Sequence, residues 1–467
     1  MFIGREKELA SLNSLYEKSG FQMAVIYGRR RVGKTELIRE FTKDKPCIFY
    51  TAIETDLAGN LKSFSESIFS FFASGDTYPV FQSFEELLIF IERQVKDTRL
   101  VIVIDEYPYL AKSDHSISSI LQKTIDLCFK DSNLFLILCG SSISFMEEDV
   151  LGSKSPLFGR RTSQLDIKPF DYKASAHFVP DYSPENKAII YGITGGIAKY
   201  LSLIDINLSE VDNIIRLYFS EDGYLYEEPM NLLRQEFRNI ALYNSIIEAV
   251  ATGKARMNEI ADATGFSTSQ LSQALDRLIG VRILKKDIPL LNEKNKRYSQ
   301  YIVEDGMFRF WYRFVAKSIS AVSRGYGKQY FESRVRPYLH DYMGPVFEEI
   351  SRDYIFDLSM NGMMNTNITE IGHWRGHDDS LKEAADIDVV GIDRTDKTAV
   401  IGECKFRNHP PDRSDMEKLI HRGKLLKGYT INEMLFFSLT DVGQEVRADY
   451  EKQGLCFVSL SEIYKGL

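Results

Sequence analysis

Two clusters in this 467-residue sequence combine residue types and spacings suited to phosphate chemistry. The first is Gly28-Arg29-Arg30-Arg31-Val32-Gly33-Lys34-Thr35. Its glycines let backbone N–H groups curl around a phosphate, Lys34 can reach the terminal phosphates, and the Thr35 hydroxyl can ligate magnesium. The flanks are those such a loop requires: residues 22–28 read as a buried strand ending in glycine, and Glu36, Leu37, Ile38 and Phe41 read as a helix. A second apolar run, Leu100 to Ile104, ends in Asp105 and Glu106, as a parallel strand buried on both faces would. Asp105 is placed to hold magnesium through water, and Glu106 to orient or deprotonate the attacking water. A third strand, residues 134–140, delivers Ser141 to the γ-phosphate or simply into a serine turn. ATP with Mg2+ is the expected ligand, and hydrolysis the expected reaction.

The second cluster is Asp388, Glu403 and Lys405. Asp388 opens one apolar strand, a polar turn at 393–397 follows, and Glu403 and Lys405 lie two apart on the next strand, so their side chains share a face. Phosphodiester hydrolysis needs carboxylates that hold one or two Mg2+ or Mn2+ ions, because a bound cation polarises the phosphoryl oxygen and lowers the pKa of its water. A neighbouring lysine positions that water and stabilises developing charge. Without a supporting pattern, the same three residues would read as a solvated strand face. The seven histidines have no metal-binding spacing, and no Ser-His-Asp arrangement or HExxH helix is present.

These clusters need scaffolds. The length suggests about three domains at ~150 residues each, and 44% hydrophobic and 27% charged residues suit buried cores. Five scattered cysteines with no CxxC pair argue against a disulfide framework or zinc knuckle and for a reducing cytoplasm. No signal peptide is recognisable, and no run approaches the ~20 apolar residues of a membrane helix. The net charge of -8 excludes a uniformly basic coat but not a local basic face.

Residues 169–238 read as a helical lid. Residues 239–310 read as a winged helix-turn-helix: helices near 243–251 and from Met257, a turn at Thr264-Gly265, and a recognition helix capped by Ser267-Thr268. Leu271, Leu275 and Leu278 are spaced for a buried face, leaving Ser267, Ser269, Gln270 and Gln273 for a DNA groove. Residues 283–286 and Lys296-Arg297-Tyr298 would form the wing. Residues 241–300 carry nine Lys/Arg against six Asp/Glu, and 301–340 carry seven against three. Basic character is therefore concentrated where a phosphate-tracking face would lie. Winged helices also dock proteins, so that reading stays open.

The opening Phe2-Ile3-Gly4-Arg5-Glu6, with Glu8 and Leu9, resembles the GRExEL box of archaeal-type AAA ATPases, a branch close to the STAND NTPases. Ser155 to Thr162, Pro169-Phe170 and Gly195 to Leu201 resemble that family's later motifs, with Ala198 where many relatives have proline. The resemblance implies that Gly4 and Arg5 sit near the adenine. It also implies that Arg160 or Arg161 is an arginine finger, which would act across a homo-oligomer. Asp…Glu-x-Lys resembles the PD-(D/E)XK nuclease superfamily, here without the proline, in the form appended to these ATPases as a domain of unknown function. Glu348 then supplies a further metal-binding acid from an upstream helix, and Gly372-His373-Trp374-Arg375 matches the appended domain's signature.

The expected fold is α/β: a P-loop ATPase core over 1–168, the lid, the winged helix, and a restriction-endonuclease-like domain over 311–467. The expected function is nucleotide-controlled action on DNA, with Glu106, Arg160, Glu403 and Lys405 catalytic. Its rivals are an ATP-dependent DNA-binding switch whose last domain only binds, and a protein-docking ATPase.

Overall fold

A computed structural model of the chain describes residues 2–72, 79–95, 99–293 and 298–465. The chain divides into two compact units, Met1–Phe170 with Ile197–Lys199, and Asp171–Gly196 with Tyr200–Leu467.

The first unit is built on β1 (Gln22–Tyr27), β2 (Cys47–Thr51), β3 (Leu100–Asp105), β4 (Leu134–Gly140) and β5 (Ser163–Asp166). They form one sheet in the order β2-β3-β4-β1-β5, parallel throughout. Every residue of β1, β3 and β4 is buried. Helices covering both faces demand such continuous Val/Ile/Leu runs in place of alternation. Because the strands are parallel, the loop after β1, Asp105 of β3 and Ser141 after β4 emerge at one edge. Ligands of open α/β sheets bind there.

In the second unit, helices from Tyr172–Ala176 to Glu228–Glu236 precede a three-helix group: Ile240–Ala251, Met257–Thr264 and Thr268–Gly280. Ser267 caps the last of these, accepting from the Gln270 N–H, and Gln270 reciprocates, as a capping box does. Leu271, Ala274, Leu275 and Leu278 are buried; Ser267, Ser269, Gln270 and Gln273 are exposed, as their spacing predicts. An antiparallel hairpin follows, β6 (Leu284–Asp287) with β7 (Gln300–Val303). The returning strand starts at Gln300, two residues after the expected Tyr298, and Lys296 and Arg297 lie outside the described residues.

After the long helix Leu339–Met360 come β8 (Glu370–Asp378), β9 (Glu383–Asp393), β10 (Thr398–Lys405), β11 (Thr430–Ser438) and β12 (Leu455–Ser459). Their order is β12-β11-β10-β9-β8. The β8–β9 and β9–β10 pairs are antiparallel, and β10–β11 and β11–β12 are parallel. One expectation is corrected here. Asp388 does not open its strand, because β9 begins at Glu383 and pairs with β8 from there.

Candidate functional site

The loop after β1 closes on its own lysine. Lys34 Nζ donates to the carbonyls of Gly28 and Arg29 at 2.9 and 3.0 Å. Lys34 is 5% exposed, and burial lowers its pKa against the opposing fields of Glu106 and Asp105. Gly33 heads the Lys34–Thr42 helix at φ +95°, and Gly28 stands at φ +148°, where a Cβ would lie 2.4 Å from the Ile167 carbonyl oxygen. Only glycine tolerates both demands. The helix N-terminus thus presents free N–H groups to an anion.

The Thr35 hydroxyl donates to Asp105 Oδ2 at 2.9 Å, bringing together the two residues expected to hold magnesium. Glu106 caps the next helix at φ +51° and accepts from the Ser141 hydroxyl at 2.6 Å. Ser141 therefore engages the carboxylate rather than standing free at the strand end. Arg29 is buried, Arg30 donates to the Tyr109 hydroxyl at 3.2 Å, and the Arg31 carbonyl accepts from the Lys199 N–H at 3.1 Å. Ala198 packs 3.4 Å from the Cβ position of Gly33, so the 197–199 segment returns to the loop.

Arg5 buckles the opening box to this loop. Its guanidinium donates to the carbonyls of Val32 (3.1 Å) and Lys168 (2.6 Å), pairs with Glu8 at 3.2 Å, and lies 4.2 Å over the Phe170 ring. Gly4, at φ +66°, leaves room for that ring, which a Cβ would meet at 3.0 Å. Arg160 is held within its own unit. It donates to Asp126 through two nitrogens at 2.9 and 2.7 Å and to the carbonyls of Pro156 and Phe158.

In the second unit β8 and β9 fall out of register by one residue. Gly372 faces Val390 and Trp374 faces Ile387, so Asp388 and Val389 together oppose His373. Such a bulge re-aims a side chain. The β9–β10 pairing stops at Val389–Gly402, leaving Asp388 and Glu403 where the two strands part. Asp388 Oδ2 accepts from the Cys404 N–H at 2.9 Å. Glu403, 4% exposed, pairs with Lys405 and with Arg422 at 3.4 Å. Glu348, on the long helix, pairs with Arg352 at 3.5 Å, and Arg352 also donates to the Asp388 carbonyl at 2.7 Å.

Burial and the carboxylates of Glu403 and Glu348 push the Asp388 acid up to about 8, and burial raises Glu348. On Lys405, burial works downward, but Glu403 outweighs it and the net shift is up. The acids are near enough to oppose one another's ionisation. Glu348 and Glu403 are paired with cationic side chains, whereas Asp388 accepts from a backbone N–H, and among the described residues no three metal-ligating side chains are gathered into a binding set.

Sequence reasoning missed Arg352, Arg422 and the bulge. Arg352 was legible, four residues beyond Glu348 on one helix face. Arg422 was not, since only the tertiary fold brings its helix, Arg413–Gly423, to β10.

A parallel sheet in this order, with a glycine-lysine loop after its inner strand and carboxylates at the same edge, defines a P-loop NTPase. A family model for an "ATPase domain predominantly from Archaea" matches residues 2–204, and a second, "Archaea bacterial proteins of unknown function", matches residues 311–419. An uncharacterized protein of Methanocaldococcus jannaschii is 32% identical over 408 residues, covering 87% of this chain and 88% of the relative. The chain belongs to the family of this relative, and its residues 2–204 are an ATPase domain of the predominantly archaeal kind. An uncharacterized ATP-binding protein of the same organism is 42% identical over 45 residues, 10% of this chain and 76% of that protein. The Walker-type ATPase of Pyrococcus abyssi shares the fold, with 20% identity and a TM-score of 0.52 over 67% of this chain and 96% of that one. The Aeropyrum pernix ORC2 protein, solved in ADPNP and ADP complexes, is 13% identical with a TM-score of 0.45 over 69% and 95%. Among the described residues no helix is long and apolar enough to cross a membrane.

Proposed function

We propose that this ATPase uses its nucleotide state to control a magnesium-dependent action of its second unit on DNA. At the first site Lys34 and the N–H groups at the helix start hold the phosphates, Thr35 and Asp105 hold Mg2+, and Glu106 orients the attacking water once Ser141 releases it. The Thr35–Asp105 hydrogen bond supports this assignment.

At the second site Glu348, Asp388 and Glu403, which are not gathered into a ligand set in the structure, would have to close together on the cation, and Lys405 would position water. A divalent ion there supplies an activated water and a polarised phosphoryl oxygen. The observation that carries the reading is the β9–β10 register, which ends at Val389–Gly402 and leaves Asp388 and Glu403 next to each other where the strands part. The acids' mutual suppression of ionisation fits a site relieved by a cation. The three-helix group and hairpin, read as a winged helix with the exposed face of Thr268–Gly280 outward, would carry the DNA contact.

The test is cleavage of supercoiled, linear and single-stranded DNA with magnesium or manganese, with and without ATP. Cutting lost in Lys405→Ala and Glu403→Gln, and responsive to ATP only while Lys34 is intact, is the expected result. Cutting that persists in Glu403→Gln overturns the site. A second reading, a switch whose last domain binds without cutting, is favoured by the Glu403–Lys405–Arg422 ion pairs. ATP hydrolysis with no cutting under any condition would establish it over the first.

A further inference from the structure

Within the second unit a cavity of about 450 Å³ is bounded by the end of the Ile240–Ala251 helix, the β6–β7 hairpin, the Gly306–Phe310 turn, the long helix and the β8–β9 edge. Glu348 and Asp388 line it; Glu403 and Lys405 do not. Its wall is of mixed charge: Lys285, Arg309, Arg313, Arg352 and Arg375 face Asp287, Asp341, Glu348, Glu349, Asp386 and Asp388. Their ion pairs are long: Lys285 and Arg309 share Glu349 at 3.3 and 3.8 Å, and Arg375 reaches Asp287 at 3.5 Å. Arg309 Nε is buried and has no acceptor. Arg313 is exposed and, among the described residues, forms no ion pair. Tyr301 adds an aromatic face.

The hairpin wall is fastened rather than loosely apposed. The Leu290 N–H donates to the His373 carbonyl at 2.8 Å, Asn292 donates to the Arg375 carbonyl at 2.5 Å, and Arg394 bridges Glu293 and Glu370, each at 2.5 Å. Leu290 and Leu291 pack on the core of the C-terminal sheet.

We propose that this cavity receives one unpaired nucleotide of a DNA strand, its phosphate drawn by Arg309 and Arg313 and its base against Tyr301. This rests on the reading that the second unit acts on DNA, and it specifies the substrate as single-stranded or locally opened. The volume lies within the range of small-molecule sites. A duplex, whose major groove alone is ~12 Å wide, does not fit. Guanidinium groups track backbone phosphate, and aromatic faces accept any base. A free nucleoside phosphate offers the same chemistry.

The test is binding of full-length protein, in calcium, to labelled oligothymidylate, to a blunt duplex of the same length, and to thymidine monophosphate. The single strand should bind at least tenfold tighter than the duplex. Arg313→Glu should weaken the single strand at least tenfold at unchanged melting temperature, and Arg313→Lys should restore most of it. Equal binding of duplex and single strand, or no effect of Arg313→Glu, overturns the proposal. Mononucleotide binding as tight as the strand overturns the strand as its source. These outcomes are independent of cleavage: duplex cutting that depends on Lys405 would uphold the nuclease site while the cavity proposal failed.

Discussion

The Ser141 hydroxyl donates to the Glu106 carboxylate at 2.6 Å, across the ends of two adjacent parallel strands. A carboxylate held this way has its oxygens turned toward serine, so it is restrained from accepting from an attacking water. Ser141→Ala should raise basal ATP turnover by up to about tenfold, ~1.4 kcal/mol off the barrier, with little change in KM. Steady-state kinetics decide it. A fall in kcat would mean instead that Ser141 holds Glu106 in its working position.

Nucleotide binding should appear as stabilisation of the folded chain. With ATP and magnesium at a hundred times Kd, linkage gives ~2.7 kcal/mol. Lys34→Ala, which removes the ammonium that now bridges the Gly28 and Arg29 carbonyls, should abolish the thermal shift. A shift of wild-type size in that variant would place the nucleotide elsewhere.

Arg5 satisfies two carbonyls from segments far apart in the chain while it is itself almost buried. The part-buried Val32 carbonyl left without a donor costs ~1–3 kcal/mol, while the exposed Lys168 carbonyl can turn to water. Arg5→Ala should therefore destabilise by about 2 kcal/mol in chemical denaturation. Arg5→Lys should recover little, since an ammonium lacks the planar fork that reaches both oxygens. Recovery by lysine would show that charge alone matters there.

Leu290 joins the hairpin to the β8 edge through its N–H and packs its side chain on the C-terminal core. Leu290→Asp should leave ATP turnover unchanged and raise hydrogen exchange at position 290 and along β8, because a charge cannot remain on that apolar surface. Exchange unchanged from wild type would show that the docking does not depend on this contact.

The first site was largely legible because its signals are local. Gly28 to Thr35 is one continuous motif, and the Leu100–Asp105 run is too apolar to be anything but buried. The partnership of Ser141 and Glu106 was not, since those residues lie 35 apart and meet only through strand pairing. The β8 strand was missed because Glu370–Asp378 is polar and glycine-rich, with two-residue alternation that a bulge opposite His373 interrupts. A bulge is a property of two strands, so neither sequence alone carries it. Arg160 was expected as an arginine finger; the sequence did not show that its partner is Asp126, in a different element.

The sheet of the first unit also orders events during synthesis. The loop-bearing strand β1 emerges early, yet its neighbours are β4 and β5, which end at Gly140 and Asp166. The carbonyls that accept from Arg5 and that crowd Gly28 belong to Val32, Lys168 and Ile167. At about 5–20 residues per second, the ribosome leaves the loop unsupported for many seconds. ATP therefore cannot assist the earliest folding of this protein. It can reward only a chain that has already closed its sheet, which makes the nucleotide a test of completion rather than a template.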